Sequence, residues 1–117
     1  KNIKNFVNKH TNYFDIIIDD ASHLKSCILE NLENFLPCLK KESAYIIEDY
    51  RFPEIYEAKN DLKDEIHISI LLKSIANKTK FDSKIVSNDN IKKLINNKAV
   101  NLHRGTRNDS DIAFIYF

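Results

Sequence analysis

The fold of this chain is decided by residues 14–23, which read Phe14-Asp15-Ile16-Ile17-Ile18-Asp19-Asp20-Ala21-Ser22-His23. A run of apolar, mostly β-branched side chains ends abruptly at two aspartates, a pattern that predicts a buried parallel strand. Apolar residues then recur at steps of three and four from Leu24 to Leu39. This spacing predicts an amphipathic helix, with Ser22 as its N-cap and a bend at Pro37.

The same pattern occurs a second time. After the polar stretch 40–43, which predicts a turn, the short apolar run 44–47 ends at Glu48 and Asp49. Strand, helix and strand in this order form a βαβ unit, in which the two strands are parallel and their carboxyl ends lie at one edge of the sheet. The sequence therefore predicts an α/β fold with a crossover helix.

The rest of the chain predicts shorter elements and a terminal β-hairpin. The expected elements are a short helix over Glu54–Asn60, a helix over Glu65–Asn77, a helical turn over Ile91–Ile95 in a polar surface excursion, and hairpin strands over Ala99–His103 and Ile112–Phe117. Gly105, the only glycine, falls in the hairpin turn, where a positive φ is most often needed.

Composition limits the class of protein. The chain has 117 residues, 43% hydrophobic and 30% charged, as expected for one globular domain. Its net charge of +1 gives no electrostatic case for nucleic acid. No apolar run is long enough to cross a bilayer and no leader pattern opens the chain, so we expect no membrane association and a cytoplasmic location.

Two further features of the sequence are informative. Cys27 and Cys38 are about three helical turns apart on the predicted helix, so we expect two unpaired core or boundary residues. The chain begins with Lys1 and contains no Met. We therefore expect it to be a fragment, or a chain whose upstream residues were removed.

The carboxyl ends of the two predicted strands are the candidate site, because open parallel sheets bind ligands there. Asp20 and Asp49 could converge on one cation or one polar ligand, and His23 adds a base close behind Asp20. Oxygen ligands favour a hard ion such as Mg²⁺ over zinc. In the alternative interpretation, these carboxylates stay solvated and cap the following helix.

Three segments together resemble class I S-adenosylmethionine-dependent methyltransferases. They are residues 14–23, the helix end Phe35-Leu36-Pro37-Cys38-Leu39-Lys40, and Tyr45-Ile46-Ile47-Glu48-Asp49-Tyr50. The likeness is strongest to metal-dependent macrolide-sugar O-methyltransferases and looser to the cephalosporin-hydroxylase-like group. Their fourth strand ends in a similar acidic-acidic-Gly-Ser-His run and their fifth in Glu-Asp, and the final hairpin resembles their sixth and seventh strands.

The resemblance implies a role for each residue of the candidate site. Asp20 and Asp49 would be Mg²⁺ ligands, His23 would be the catalytic base for a substrate hydroxyl, and Tyr50 and Arg51 would face the acceptor, a sugar or another small molecule. The cofactor would be S-adenosylmethionine. The chain would form the carboxyl-terminal half of a Rossmann-like domain, because a glycine-rich cofactor loop, an acidic ribose ligand and a third metal ligand do not occur in these residues.

Two other interpretations remain open on the sequence alone. A non-catalytic binding or assembly module could retain this half-fold with a vestigial acidic edge. A receiver-like domain also has strands ending in paired aspartates, but it continues in parallel order rather than closing with a hairpin. An enzyme fragment would carry an exposed strand edge at 14–18, so we expect it to form a homodimer or to pair with its missing amino-terminal half.

Overall fold

The computed structural model describes residues 2–56, 62–107 and 109–117. The elements run α1 (Asn2–Lys9), β1 (Phe14–Asp19), α2 (Lys25–Phe35), a single 3₁₀ turn (Leu36–Cys38), β2 (Leu39–Glu48), α3 (Phe52–Tyr56), α4 (Ile68–Ala76), α5 (Asn88–Ile95), β3 (Ala99–His103) and β4 (Ile112–Tyr116). None of the helices in these residues is long and apolar enough to span a membrane.

The four strands form one mixed sheet in the order β1-β2-β4-β3. β1 pairs with β2 in parallel, with Ile17 opposite Tyr45 and Asp19 opposite Ile47. β4 pairs antiparallel with both β2 and β3. The predicted α/β fold, with parallel strands, a crossover helix and a terminal antiparallel hairpin, is therefore confirmed.

The hydrophobic core lies on one face of this sheet. Inward-facing side chains of β2 and β4, among them Tyr45, Ile47, Ala113 and Ile115, form one cluster with the apolar faces of α2, α4 and α5. The members contributed by those helices are Ile28, Leu29, Leu32, Ile68, Leu71, Leu72, Ile75, Ile91 and Leu94. Burial of these apolar faces stabilises helices that are too short to persist alone.

The opposite face of the sheet is open in the described structure. Ile16 and Ile18 on β1 are 57% and 58% exposed, although both belong to the apolar run that predicted a buried strand. β1 is paired on one side only, because it lies at the edge of the sheet. The prediction of full burial was therefore wrong, whereas the exposed strand edge predicted at residues 14–18 is present.

The ends of the crossover helix differ from the prediction. α2 begins at Lys25 with Leu24 as N-cap residue, and no side chain caps it. The hydroxyl of Ser22 instead accepts from the backbone N–H of Leu24, at 3.4 Å. Ser22 is therefore not the N-cap, because the left-handed His23 and the extended Leu24 come between it and the first helical residue. At the other end Pro37 lies in the 3₁₀ turn, and Cys27 and Cys38 are both free thiols.

Residues 40–43, predicted as a turn, belong to β2. The pairing with β1 shifts in register between Phe14 and Ile16, and Glu42 has a φ of 62°. Such an irregularity lets polar residues extend a strand without forming a separate turn. The sequence did not predict α1, whose residues are all at least partly exposed and whose Phe6 stacks on Phe14 at 6.1 Å.

The later elements agree with the prediction in kind and order. α4 and α5 correspond to the helix expected over Glu65–Asn77 and the helical turn over Ile91–Ile95, while α3 covers the start of Glu54–Asn60 and residues 57–60 lie outside the described residues. Gly105 does not have a positive φ, so that expectation was wrong. A β-carbon there would collide with the side chain and carbonyl group of Ser110, so the hairpin loop needs glycine for close approach.

Candidate functional site

The parallel pairing of β1 with β2 positions the candidate site. β1 ends at Asp19 and β2 at Glu48, and the register sets Asp19 beside Ile47. The next residues of both strands therefore leave the sheet at the same edge. Asp20 and His23 lie in the loop before α2, and Asp49 lies in the turn before α3.

The three residues predicted to share this edge do come together. His23 Nε2 lies 3.5 Å from Asp20 Oδ1 and 3.6 Å from Asp49 Oδ2. One ligand atom from each of the three residues lies within 4.8 Å of the others. Asp20 is the most exposed member, with 57% of its side chain accessible, whereas His23 and Asp49 are partly buried. The arrangement places a nitrogen base between two carboxylates, and the assignment of base and metal ligands stays a prediction.

Two members of this cluster hold a left-handed backbone conformation. The φ angle is 60° at His23 and 50° at Asp49. Histidine and aspartate are enriched among the non-glycine residues that adopt this conformation, but it still costs about 1 kcal/mol or more per residue. The strand-to-loop turns are thus bent locally in a way that presents both side chains to one point.

Asp19 and Asn31 form a buried polar pair next to the cluster. Asp19 is only 6% exposed, and its carboxylate accepts a hydrogen bond from the Asn31 side-chain amide at 3.2 Å. Burial raises the pKa of Asp19 above its ordinary value, an effect that the hydrogen bond from Asn31 only partly offsets. The neighbouring Tyr45 hydroxyl is buried without a hydrogen-bond partner among the described residues, and burial raises its pKa strongly.

Tyr50 and Arg51, predicted to face the acceptor, both make contacts within the chain, and their role toward an acceptor stays a prediction. Tyr50 is 5% exposed and belongs to the hydrophobic core, and burial raises its pKa. Arg51 Nη1 donates to Asp111 Oδ2 at 3.0 Å, and this aspartate also accepts from the backbone N–H of Gly105 at 3.3 Å. Arg51 thereby ties the end of β2 to the hairpin loop.

Residues that the sequence analysis did not select surround the cluster. The Phe52 ring lies 5.7 Å from the His23 ring, and Tyr56 lies 4.7 Å beyond Phe52. The Tyr56 hydroxyl donates to Asp109 Oδ2 at 3.0 Å, across to the hairpin loop. Phe52 could have been predicted near the cluster, because it follows Asp49 closely in the sequence. The contact between Tyr56 and Asp109 joins residues 53 positions apart, and no sequence pattern indicated it.

An open groove of about 550 Å³ runs from the cluster along the free edge of β1. Its lining includes Asp19 and Asp20 at one end and the aromatic rings of Phe6, Phe14 and Phe35 at the other. The groove is therefore polar where it meets the site and apolar along the unpaired strand.

The raised pKa of Asp19 gives a test of the buried pair. A carboxyl whose folded pKa exceeds its unfolded pKa stabilises the fold at low pH, and this stability is lost as pH rises from about 3.8 through the folded value. We expect Asp19→Asn to raise the melting temperature of the complete protein at pH 7.5 and to raise it less at pH 4. Asp15→Asn, at an exposed position of the same strand, is the control and should show little pH-dependent difference. A lower melting temperature for Asp19→Asn at pH 7.5 would show that the ionised carboxylate is stabilising.

Comparison with known proteins identifies the fold. No protein-family model matches the chain, and no curated protein sequence matches it. Two crystal structures of the MycE methyltransferase from the mycinamycin biosynthetic pathway are similar to it. One contains Mg, SAH and mycinamycin VI (TM-score 0.53, 19% identity), and the other contains Mg and SAH (TM-score 0.55, 18% identity).

Each superposition covers 97% of this chain but only 28% and 29% of the respective MycE chain. The chain thus spans less than a third of the length of the structures it matches. At this level of identity the likeness concerns the fold alone. The chain has the fold of one part of a methyltransferase.

Proposed function

We propose that this chain is the acceptor-side part of an S-adenosylmethionine-dependent O-methyltransferase that acts, with help from Mg²⁺, on a hydroxyl of a sugar or another small molecule. The observation that carries the proposal is the convergence of Asp20, His23 and Asp49 at the carboxyl edge of the parallel strands.

The similar MycE structures support the choice of cofactors. One of them was crystallised with Mg, SAH and a mycinamycin, and the other with Mg and SAH. The shared fold makes the same chemistry a reasonable proposal for this chain.

The residues present fit a magnesium ion. Mg²⁺ in proteins is usually held by one or two carboxylates and keeps several of its waters. Asp20 and Asp49 are the carboxylates we propose as ligands, and the exposure of Asp20 leaves room for water. The bound ion would supply positive charge that favours ionisation of a nearby hydroxyl.

His23 is the group we propose as the catalytic base. Its Nε2 atom points between the two carboxylates, and imidazole is the side chain best suited to accept a proton near neutral pH. Nε2 would take the proton of the acceptor hydroxyl while the oxygen forms a bond to the methyl carbon. The cofactor would supply the methyl group and would leave as a neutral thioether that keeps the electron pair of the methyl–sulfur bond.

We propose that the cofactor pocket is completed by a segment outside this sequence. The sequence contains no glycine-rich cofactor loop, and the matched MycE chains are more than three times longer than the matched region. The free edge of β1, the exposed Ile16 and Ile18, and the groove beside them form a surface that such a segment could cover. Pairing there would extend the sheet and would bury the open apolar side chains.

The metal ligands can be tested without an acceptor. We expect Mg²⁺ to raise the melting temperature of the complete protein, because a ligand that binds only the folded state at about 100 times its Kd stabilises it by about 2.7 kcal/mol. Asp20→Asn should abolish the shift, and Asp82→Asn, at an exposed position between α4 and α5, should retain it. A shift that persists undiminished in Asp20→Asn would remove this residue from the site.

The base can be tested by His23→Asn, because asparagine also tolerates the left-handed backbone at this position. We expect turnover by the complete enzyme to fall about 10²- to 10⁴-fold, the usual contribution of a general base, with S-adenosylmethionine affinity nearly unchanged. His67→Asn, at an exposed histidine just before α4, is the matched control. Turnover of the His23 variant equal to that of the control would reject the assignment.

A further inference from the structure

We infer that an aromatic wall beside the cluster binds the part of the acceptor that does not react, and that it selects uncharged acceptors with a ring. The rings of this wall are Phe52 and Tyr56 on α3, and Arg107 and Asp109 in the hairpin loop lie beside them. We call these four residues the acceptor rim. The inference rests on the proposed function, because it assigns the substrate class of the same site.

The two aromatic rings of the rim lie beside the candidate base. Phe52 lies 5.7 Å from His23, at an interplanar angle of 47°, and Tyr56 lies 4.7 Å from Phe52, at 45°. The rings thus form a row that leads away from the candidate base. Tyr56 is 55% exposed and Phe52 is partly exposed, so the row has accessible surface. Small-molecule sites are commonly lined by such aromatic groups, with a few polar groups that fix orientation.

The rim is held in place from both α3 and the hairpin loop. The Tyr56 hydroxyl donates to Asp109, and Arg107 donates to the same carboxylate through Nε and Nη2, at 3.2 and 3.3 Å. The Arg107 contacts, followed by the Tyr56 hydrogen bond, lower the pKa of Asp109, so the carboxylate is ionised when it accepts them. The nearby contact between Arg51 and the buried Asp111 joins the same two segments.

The charges at the rim and the cluster disfavour an acceptor that carries phosphate. Arg51 and Arg107 each already hold an aspartate, and the cluster itself presents two carboxylates. An acceptor that carries phosphate would meet like charge at the cluster and would have to displace an ion pair at the rim. In the described part of the hairpin loop, Arg104 is an exposed cation outside these two ion pairs, so a phosphate at the rim would depend on it. The rim therefore fits a neutral glycoside or a similar uncharged ring compound better than a sugar phosphate.

Three probes test this in the complete protein with Mg²⁺: p-nitrophenyl β-glucoside, methyl β-glucoside and glucose 1-phosphate, with dissociation constants from saturation-transfer NMR titrations. We expect the aryl glycoside to bind most tightly and the phosphate most weakly. Phe52→Leu should weaken the aryl glycoside about 3- to 10-fold, the usual contribution of a ring contact. Phe114→Leu makes the same change at a partly exposed phenylalanine in β4, whose ring contacts His103 and Tyr116, and should leave binding unchanged.

Tyr56→Phe retains the ring but removes the hydrogen bond to Asp109, so we expect it to raise the KM of a turned-over glycoside while kcat stays the same. Equal aryl-glycoside affinity in Phe52→Leu and Phe114→Leu would overturn the inference. Tighter binding of glucose 1-phosphate that is lost in Arg104→Gln would also overturn it, as would binding of none of the probes. The Mg²⁺-dependent melting shift, measured on the same samples, separates these outcomes from failure of the proposed function itself.

Discussion

The site depends on one interaction, the parallel backbone pairing of β1 with β2. The pairing sets Ile17 beside Tyr45 and Asp19 beside Ile47, so both strands end at the same level. The residues just after the strands, among them Asp20, His23 and Asp49, then lie at a common edge of the sheet. The hairpin is aligned by the same ladder, since Glu48 pairs with Ile112 and Ile112 with His103. This alignment brings the hairpin loop beside the cluster, where it can contact α3.

The residues at this edge are arranged at a local cost in stability. His23 and Asp49 adopt left-handed backbone conformations, Asp19 is a buried carboxyl with a raised pKa, and the Tyr45 hydroxyl is buried without a partner in the described residues. Each feature would be avoided by a sequence selected for stability alone, and such exceptions concentrate at functional sites. The core of α2, α4 and α5 against β2 and β4 supplies the compensating burial. Left-handed residues also occur away from this edge, at Asn12, Glu42, Leu62 and Lys78, so the edge is distinguished by their combination with the buried carboxyl and hydroxyl groups.

Sequence patterns predicted those features of the fold that depend on local periodicity. The apolar runs that end in acidic pairs predicted the parallel strands, and the alternation near the carboxyl terminus predicted the hairpin. The convergence of Asp20, His23 and Asp49 followed from parallel topology alone. Contacts between distant residues could not be predicted in this way, since Arg51 meets Asp111 across 60 positions. The N-cap at Leu24 and the φ of Gly105 depend on tertiary packing, so the preferences of Ser22 and glycine were misleading there.

If Asp20 and Asp49 bind one cation together, Mn²⁺ should occupy the same position, because it shares the oxygen preference of Mg²⁺. Anomalous scattering of Mn²⁺ in crystals of the complete protein measures this. We expect a single anomalous peak roughly 2.1 Å from a carboxylate oxygen of each aspartate, with His23 beside it. A peak bound to only one of the two carboxylates, or no peak at this edge of the sheet, would contradict it.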